Sequence, residues 1–97
     1  MAKFVYIYYS GEDDKSSMDD WKNWFGKLGD KLMDPGNPMA GGQAVHQGGV
    51  MAVKDMPVTG YSIVDAKDKD EAVEMAKDCP LVGFKDGAVC VYEALPM

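Results

Sequence analysis

The sequence predicts an α+β fold in which one four-stranded antiparallel sheet carries two helices on one face. Three observations lead to this prediction. Strand-like and helix-like segments follow one another in the order βαββαβ, each helix-like segment begins at a Ser or Asp that can cap it, and the first strand is apolar on both faces. The order βαββαβ is typical of the ferredoxin-like split βαβ arrangement. With 97 residues, the chain is long enough for one domain, which we place at residues 1–97.

The first predicted strand, residues 3–10, is apolar on both faces, and a two-layer domain covers only one of them. Helices on one side of a sheet bury only one row of its side chains. A second copy of the chain is the simplest cover for the other row, so we expect a homodimer that forms through the helix-free sheet face. The two apolar rows are Phe4, Tyr6 and Tyr8 on one face and Val5, Ile7 and Tyr9 on the other.

The first predicted helix covers residues 17–33. Ser16 or Ser17 offers a capping hydroxyl, and an aspartate follows three residues later in either alignment. The Asp-Pro-Gly-Asn-Pro run at residues 34–38 predicts a turn that ends the helix. Apolar side chains recur at steps of three and four, which indicates an amphipathic helix. They are Met18, Trp21, Trp24, Phe25, Leu28 and Leu32.

The second strand is predicted within residues 41–53, which are extended but contain Gly48-Gly49, a signal for a bulge or a tight bend. A turn is predicted at residues 54–57. The remaining elements are a strand, a helix that is capped by Asp68 and closed by Cys79-Pro80, and a final strand. The two strands cover residues 59–66 and 88–93, and the short helix between them carries Ala72, Val73, Met75 and Ala76.

The composition excludes several classes of partner. The net charge is −6, and all ten basic residues are lysines. Nucleic-acid binding depends on basic clusters and on the bidentate contacts of arginine, so we expect no nucleic-acid partner. An acidic chain is equally unsuited to an anionic membrane surface. Neither a secretion signal nor an apolar run of about 18 residues is present, so we expect a cytoplasmic protein without a membrane partner.

A ligand pocket is predicted between the sheet and the first helix. Its expected walls are Tyr6, Tyr8 and Tyr61 on the strands and Trp24 on the helix. A tyrosine on a sheet face combines an apolar ring with a hydroxyl that needs a partner. Such walls suit a small apolar or aromatic metabolite, and they suit a partly wet dimer interface equally well.

His46 and Asp34 are the candidate polar contacts of this pocket and the weak candidates for catalysis. His46, the single histidine, can transfer a proton near neutral pH, but a histidine on a strand is more often a half-buried surface or interface residue. Asp34 can act as an acid, a base or a hydrogen-bond acceptor. In the alternative interpretation it only initiates the turn before Pro35 by bonding its own backbone.

No metal site and no cofactor is expected. One histidine and two cysteines, Cys79 and Cys90, fall short of a ligand set because they lack metal-ligand spacing. The proline after Cys79 is explained as a helix stop, so haem ligation is not expected either.

Two stretches of the chain resemble the YCII-related family, including the branch that is known by its Asp-Gly-Pro-Phe motif. The run WFGKLGDKLMDPGNPM at residues 24–39 is similar to the family's helix-and-turn segment. Residues 59–93 resemble its closing strand, helix and strand, notably at Gly60-Tyr61, Asp70-Glu71-Ala72 and Cys79-Pro80. The resemblance extends over nearly the whole chain and implies a ferredoxin-like fold that pairs into a dimeric α+β barrel.

The chain departs from the family at the residues of its proposed chemistry. Residues 54–57 read Lys-Asp-Met-Pro, so the Asp-Gly-Pro-Phe stretch is absent. The branch proposed to be enzymatic carries a histidine in its first helix that works with an aspartate, and the first helix here contains no histidine. His46 lies on another element and inherits no role. Two functions stay open: a dimeric protein that binds a small molecule, enzymatic or not, and a non-catalytic interaction or regulatory module.

Overall fold

The computed structural model describes residues 2–53 and 58–97, so the predicted turn at residues 54–57 lies outside the described residues. The strands are β1 (Ala2–Tyr9), β2 (Leu32–Asp34), β3 (Gln43–His46), β4 (Gly49–Ala52), β5 (Gly60–Ala66) and β6 (Ala88–Glu93). The helices are α1 (Met18–Leu28) and α2 (Lys69–Ala76). Short 3-10 turns occur at Gly29–Lys31 and Pro80–Gly83.

Four strands form one antiparallel sheet in the order β2–β5–β1–β6. The central pair β1 and β5 places Phe4 opposite Val64 and Tyr6 opposite Ser62. On the other side of β1, Tyr6 lies opposite Val91 of β6. This strand order and the positions of the two helices are those of the ferredoxin-like arrangement, so the predicted fold class is confirmed.

Both helices cover the same face of this sheet. Trp24 and Leu28 of α1 and Ala72 and Ala76 of α2 belong to one hydrophobic core. The sheet contributes the row that the sequence predicted for one face of β1, since Phe4, Tyr6 and Tyr8 are all buried in that core. Burial of these large rings removes apolar surface from water, which is the main stabilising term of the domain.

The opposite side of the sheet, which we call the helix-free face, is also apolar. Its β1 residues are half-buried, and the strand register places Ile63 and Tyr92 beside Val5, and Tyr61 and Cys90 beside Ile7. The apolar character that the sequence predicted for this face is therefore present in the structure. The residues of the helix-free face are Val5, Ile7, Tyr9, Tyr61, Ile63, Cys90 and Tyr92.

Helix α1 starts as predicted and ends earlier than predicted. The Ser17 hydroxyl accepts from the Asp20 backbone N–H, and the Asp20 carboxylate accepts from the Ser17 N–H, which completes a capping box. The helix ends at Leu28 because Gly29 adopts a positive φ of 56°, which suits a helix C-terminus. The predicted extension to residue 33 is wrong, since Leu32 pairs with Val64 as part of β2.

The strand predicted within residues 41–53 is extended as expected, but it does not pair with the main sheet. The chain reverses beside Gly48, where the closing pair is His46 and Gly49, and Gly49 has a φ of 136°. The predicted tight bend is thus present, but it folds the segment on itself as a separate two-stranded β3–β4 hairpin, which we call the arm. The short strand β2 occupies the edge of the main sheet instead. All described side chains of β3 and β4 are exposed.

Helix α2 and the last strand agree with the sequence. The Asp68 side chain accepts from the Glu71 backbone N–H and caps α2, as predicted. Cys79-Pro80 follows the helix and begins the second 3-10 turn. Within residues 2–53 and 58–97, neither helix is long and apolar enough to span a bilayer.

Candidate functional site

A cavity of about 330 Å³ opens at one end of the helix-covered face. The start of α1, the end of β1 and the turn that follows β2 surround it. Aromatic and apolar residues make up most of its lining, together with four polar side chains. The lining residues are Tyr8, Ser10, Asp14, Met18, Trp21, Phe25, Pro35, Gly36, Asn37, Pro38, Thr59, Gly60 and Tyr61.

Tyr8, Trp21 and Phe25 form a connected aromatic wall on this cavity. The ring centroids of Tyr8 and Trp21 lie 4.9 Å apart with an interplanar angle of 78°, and those of Trp21 and Phe25 lie 5.8 Å apart. Trp21 and Phe25 are four residues apart on α1, so the helix places them on the same face. Both are only half-buried. A ligand in the cavity therefore covers apolar ring surface that is otherwise open to water.

The Tyr8 hydroxyl connects this wall to the turn on the far side of the cavity. It donates to Ser62 Oγ at 2.8 Å, and the Ser62 hydroxyl donates to the Pro35 carbonyl at 2.7 Å. Burial raises the pKa of Tyr8 well above its usual range, and the Ser62 hydrogen bond offsets this only in part. Tyr8 therefore stays protonated at neutral pH and acts as a fixed hydrogen-bond donor.

Gly36 closes the turn tightly against β5. Its φ is 75°, and its backbone N–H donates to Asp34 Oδ1 at 2.8 Å. A Cβ at this position would overlap the carbonyl group of Tyr61, so only glycine fits without movement of the strand. Next to it, the Asn37 side-chain amide donates to the Tyr61 hydroxyl at 3.3 Å. These contacts fix the wall of the cavity that belongs to the turn.

Asp14 is the one charged residue among the described residues that line the cavity. Its Oδ1 accepts from the Ser16 backbone N–H at 2.8 Å and from the Ser16 hydroxyl at 2.6 Å. The Ser16 Oγ accepts in turn from Trp21 Nε1 at 3.0 Å, which links the carboxylate to the aromatic wall. Desolvation raises the pKa of Asp14, but the hydrogen bonds from Ser16 and Ser10 outweigh it and hold the pKa below its usual value. Asp14 is therefore ionised at neutral pH.

Ser10 and Thr59 supply hydroxyl groups on the same side of the cavity. The two hydroxyl oxygens lie 2.9 Å apart, and the Ser10 backbone N–H donates to Thr59 Oγ1 at 3.1 Å. The Thr59 hydroxyl donates to the Tyr8 carbonyl at 3.2 Å. With Asp14 and Asn37, these groups can bind the polar end of a ligand whose body lies on the aromatic wall.

The four aromatic residues predicted as pocket walls are divided between the cavity and the core. Tyr8 and Tyr61 line the cavity. Tyr6 is completely buried, its hydroxyl donates to the Ala72 carbonyl, and its ring stacks on Trp24 at a centroid distance of 5.8 Å. Trp24 Nε1 donates to the Met75 carbonyl at 3.0 Å. Tyr6 and Trp24 therefore lie in the core under α2 and do not line the cavity.

Of the two predicted polar contacts, Asp34 lies next to the turn that borders the cavity, and His46 lies on the arm. Asp34 is exposed at the end of β2, where its carboxylate accepts from Gly36 and initiates the turn. His46 is exposed on the arm, and its Nδ1 accepts from the Gly48 backbone N–H at 3.1 Å. Neither residue lines the cavity. The geometry does not support His46 and Asp34 as joint polar contacts of the cavity, and their role in binding or catalysis stays a prediction.

The sequence reasoning missed the polar residues that the cavity does contain. Ser10 and Asp14 lie in the loop between β1 and α1, and Thr59 lies just before β5. Only tertiary structure brings these segments together, because β1 pairs with β5 through most of its length. One local signal was present: the Asp-x-Ser spacing of Asp14 and Ser16 permits the carboxylate to bond backbone two residues on.

Outside the cavity, the described residues include two cysteines and no metal-ligand cluster. Among residues 2–53 and 58–97, no cluster of three His, Cys, Asp or Glu side chains could hold a metal ion. Cys79 and Cys90 are not disulfide-bonded. Burial raises the pKa of the Cys79 thiol to about 12, so it is a neutral core residue at physiological pH.

A family model matches almost the whole chain. The model is that of the YCII-related domain, and it matches residues 2–97. No curated protein and no solved structure matches the chain. The family match covers the main sheet, both helices, the arm and every residue that lines the cavity.

Proposed function

The chain belongs to the YCII-related family, and we propose that it binds a small apolar or aromatic molecule in the cavity beside Trp21. The observation that carries this proposal is the composition of the cavity. It combines half-buried aromatic rings with a few polar groups that converge on the same space. Ligand sites in proteins are usually built in this way, and their volumes start at about 300 Å³.

Specific contacts fix the walls of the cavity. The Tyr8–Ser62–Pro35 hydrogen bonds and the Gly36 turn fix two opposite walls. A ligand that enters therefore gains apolar burial, at roughly 25 cal/mol per Å² of surface removed from water, without a rearrangement of the backbone. The rigidity of the walls supports a binding role for the space between them.

The second part of the proposal is that the protein is a homodimer that forms through the helix-free face. Support comes from two rows of apolar residues that run across the strands β5, β1 and β6. They are Ile63–Val5–Tyr92 and Tyr61–Ile7–Cys90. A contiguous set of half-buried apolar residues that neither helix covers is typical of an interaction surface. Tyr61 belongs to both the helix-free face and the lining of the cavity. Dimerisation through this face would therefore also position a residue of the site.

The dimer is tested by light scattering on the purified protein and on the variant Ile7→Lys. We expect twice the mass of one chain for the wild type and the mass of a single chain for the variant. Val73→Lys is the matched control, because Val73 is an exposed residue of α2. A wild-type monomer at tens of micromolar, a concentration well above the usual dissociation constants of stable dimers, would refute this part of the proposal.

The free cysteines support the cytoplasm as the location of the protein. Cys79 and Cys90 are both unpaired. A reducing compartment keeps such thiols in this state. We therefore keep the cytoplasmic expectation as part of the proposal.

A second candidate function is a non-catalytic interaction module, and the arm favours it. Residues 35–53 contain no Asp, Glu, Lys or Arg. Val45, Val50 and Met51 of the arm are between 58% and 80% exposed. An isolated hairpin is at best marginally stable in water, so a partner that covers the arm would stabilise it.

A thermal-shift screen with a library of small metabolites separates the two functions. Binding to the native state raises its melting temperature, so a ligand for the cavity gives a saturable increase. We expect this increase to disappear in Trp21→Ala and to persist in His46→Ala, which does not touch the cavity. A screen in which no compound raises the melting temperature would favour the interaction module. Loss of the response in His46→Ala alone would place the ligand outside the cavity.

A further inference from the structure

Asp14 is the one charged side chain among the described residues of the cavity lining, and its position matters for ligand choice. Asp14 lies beside the aromatic wall, and the Ser16 hydroxyl connects its carboxylate to the indole N–H of Trp21. We propose that the cavity is selective for a cation, a small amine whose ammonium group pairs with Asp14 and whose aromatic or apolar body packs on Trp21 and Phe25. This inference rests on the proposed function and adds the charge of the ligand to it.

The carboxylate of Asp14 retains room for a ligand after its internal contacts are counted. A carboxylate accepts about four hydrogen bonds. Ser16 donates two of them, both to Oδ1, and the Ser10 hydroxyl is a third neighbour. Asp14 is only partly buried and lines the cavity. The same contacts hold the carboxylate in one orientation, so an ammonium group meets a preorganised acceptor.

The charges around the cavity favour a cation over an anion. None of the described lysines lines the cavity, so an anionic ligand would lie near Asp14 without a basic partner. The adjacent loop and helix start carry further acidic residues, which are Glu12, Asp13, Asp19 and Asp20. The chain as a whole has a net charge of −6. These charges attract a cation and repel an anion before either reaches the cavity.

The aromatic wall adds to this selectivity. Cations are attracted to the faces of aromatic rings, and tryptophan is the best of the three aromatic side chains in this respect. Trp21 makes edge-to-face contacts with Tyr8 and Trp24, and these two neighbours hold its ring in place. An amine between Asp14 and Trp21 therefore gains an ion pair and a ring contact in the same position.

Three indole ligands of nearly the same size and different charge test the inference on the full-length chain. They are tryptamine, a cation at neutral pH, tryptophol, which is neutral, and indole-3-acetate, an anion. Dissociation constants come from ¹⁵N NMR titrations at low salt. We expect tryptamine to bind most tightly, about tenfold or more tighter than indole-3-acetate, since a charge-assisted hydrogen bond has about this effect. Tryptophol is expected to lie between them.

The isosteric variant Asp14→Asn and a charge-matched control locate the effect. We expect Asp14→Asn to weaken tryptamine binding about tenfold and to leave tryptophol binding unchanged, which also shows that the cavity is intact. Glu12→Gln removes one negative charge from the same loop at an exposed position and is expected to preserve the order of the three ligands. Because the wild-type order is measured independently, a misfolded Asp14 variant does not remove the test.

Each other outcome overturns a defined part of the account. Equal binding of all three ligands, or tightest binding of indole-3-acetate, refutes the cation selectivity and leaves the proposed binding function intact. A tryptamine preference that Asp14→Asn and Glu12→Gln reduce equally refutes the role of Asp14, because only general charge would then matter. If none of the three ligands binds at millimolar concentration, both the inference and the proposed binding function fail.

Discussion

The two ends of the helix-covered sheet face contain similar residues and differ in how completely they are covered. At one end, Tyr6 and Trp24 are buried, and their polar atoms donate to carbonyl groups of α2. At the other end, Tyr8 and Trp21 have side chains as partners, Ser62 and Ser16, from a strand and a loop. We call the first the filled end, because Tyr6 and Trp24 are buried in the core there, and the second the open end, because it contains the cavity.

This difference indicates that a site forms where loops, and not a helix, cover the sheet. A helix lays a continuous surface on the sheet, so α2 covers Tyr6 completely. Loops satisfy the same polar atoms and leave room between them. The aromatic residues at the two ends are therefore expected to respond differently to substitution: those at the filled end support stability, and those at the open end support binding.

The largest expected effect contrasts the two tryptophans. Trp24→Ala removes a fully packed ring, and we expect the free energy of unfolding to fall by about 3–5 kcal/mol. Trp21→Ala removes a half-buried ring and is expected to cost clearly less than Trp24→Ala, while it abolishes ligand binding. Urea unfolding of both variants measures the contrast. Equal destabilisation would mean that the open end is core as well.

Glycine substitutions in two loops give the next largest effect. Gly36 and Gly41 have similar positive φ values of 75° and 68°, so an alanine at either pays the left-handed backbone penalty of about 1–2 kcal/mol. At Gly36 the new Cβ also meets the Tyr61 carbonyl, whereas nothing lies within 4 Å at Gly41. We expect Gly36→Ala to lower the unfolding free energy more than Gly41→Ala and to weaken ligand binding. Identical losses in urea unfolding would contradict the tight turn.

Removal of the hydroxyl group of Tyr6 or Tyr8 compares the two ends by a single hydrogen bond each. Tyr6→Phe and Tyr8→Phe each delete one buried hydrogen bond, and each is expected to cost about 1 kcal/mol of stability. Only Tyr8→Phe is expected to weaken ligand binding, because the Tyr8 hydroxyl helps to position the Pro35 side of the cavity through Ser62. Calorimetric titration with a ligand from the screen checks this. A similar loss of affinity in Tyr6→Phe would show that the filled end also contributes to binding.

The smallest expected effect is the pH dependence that Asp14 contributes. Its pKa in the folded protein lies below the usual value, so its contribution to stability is present above about pH 4 and is lost as the pH falls through the folded pKa. We expect wild type to be more stable than Asp14→Asn at pH 7 and the difference to shrink below about pH 4. Thermal unfolding of both proteins across this range measures it, and the carboxylates that the two proteins share cancel. A difference that does not change with pH would contradict the hydrogen-bonded carboxylate.

The sequence predicted the fold because local patterns and tertiary structure agree in most of the chain. The two apolar rows of β1 and the caps at Ser17 and Asp68 are local signals, and each is present in the structure. The edge strand was misplaced because Leu32 continues the apolar period of α1, although Gly29 had already ended the helix. Periodicity alone does not distinguish these two cases.

The candidate site was less predictable because it depends on contacts between distant segments. Tyr8 and Tyr61 were identified from their strands, and both line the cavity. Tyr6 has the same pattern as Tyr8 in the sequence, yet α2 covers it completely. Which tyrosine borders the cavity is decided by where the helices lie, and this information is absent from the strand itself.

The most direct test of a ligand site at the open end uses the two tryptophans as internal reporters. Protein labelled with 5-fluorotryptophan gives two ¹⁹F signals, which the Trp21→Phe variant assigns. We predict that the neutral ligand tryptophol shifts the Trp21 signal saturably and the Trp24 signal much less, because only Trp21 lines the cavity. A titration in which neither signal moves, or in which Trp24 moves more than Trp21, would contradict the proposed site.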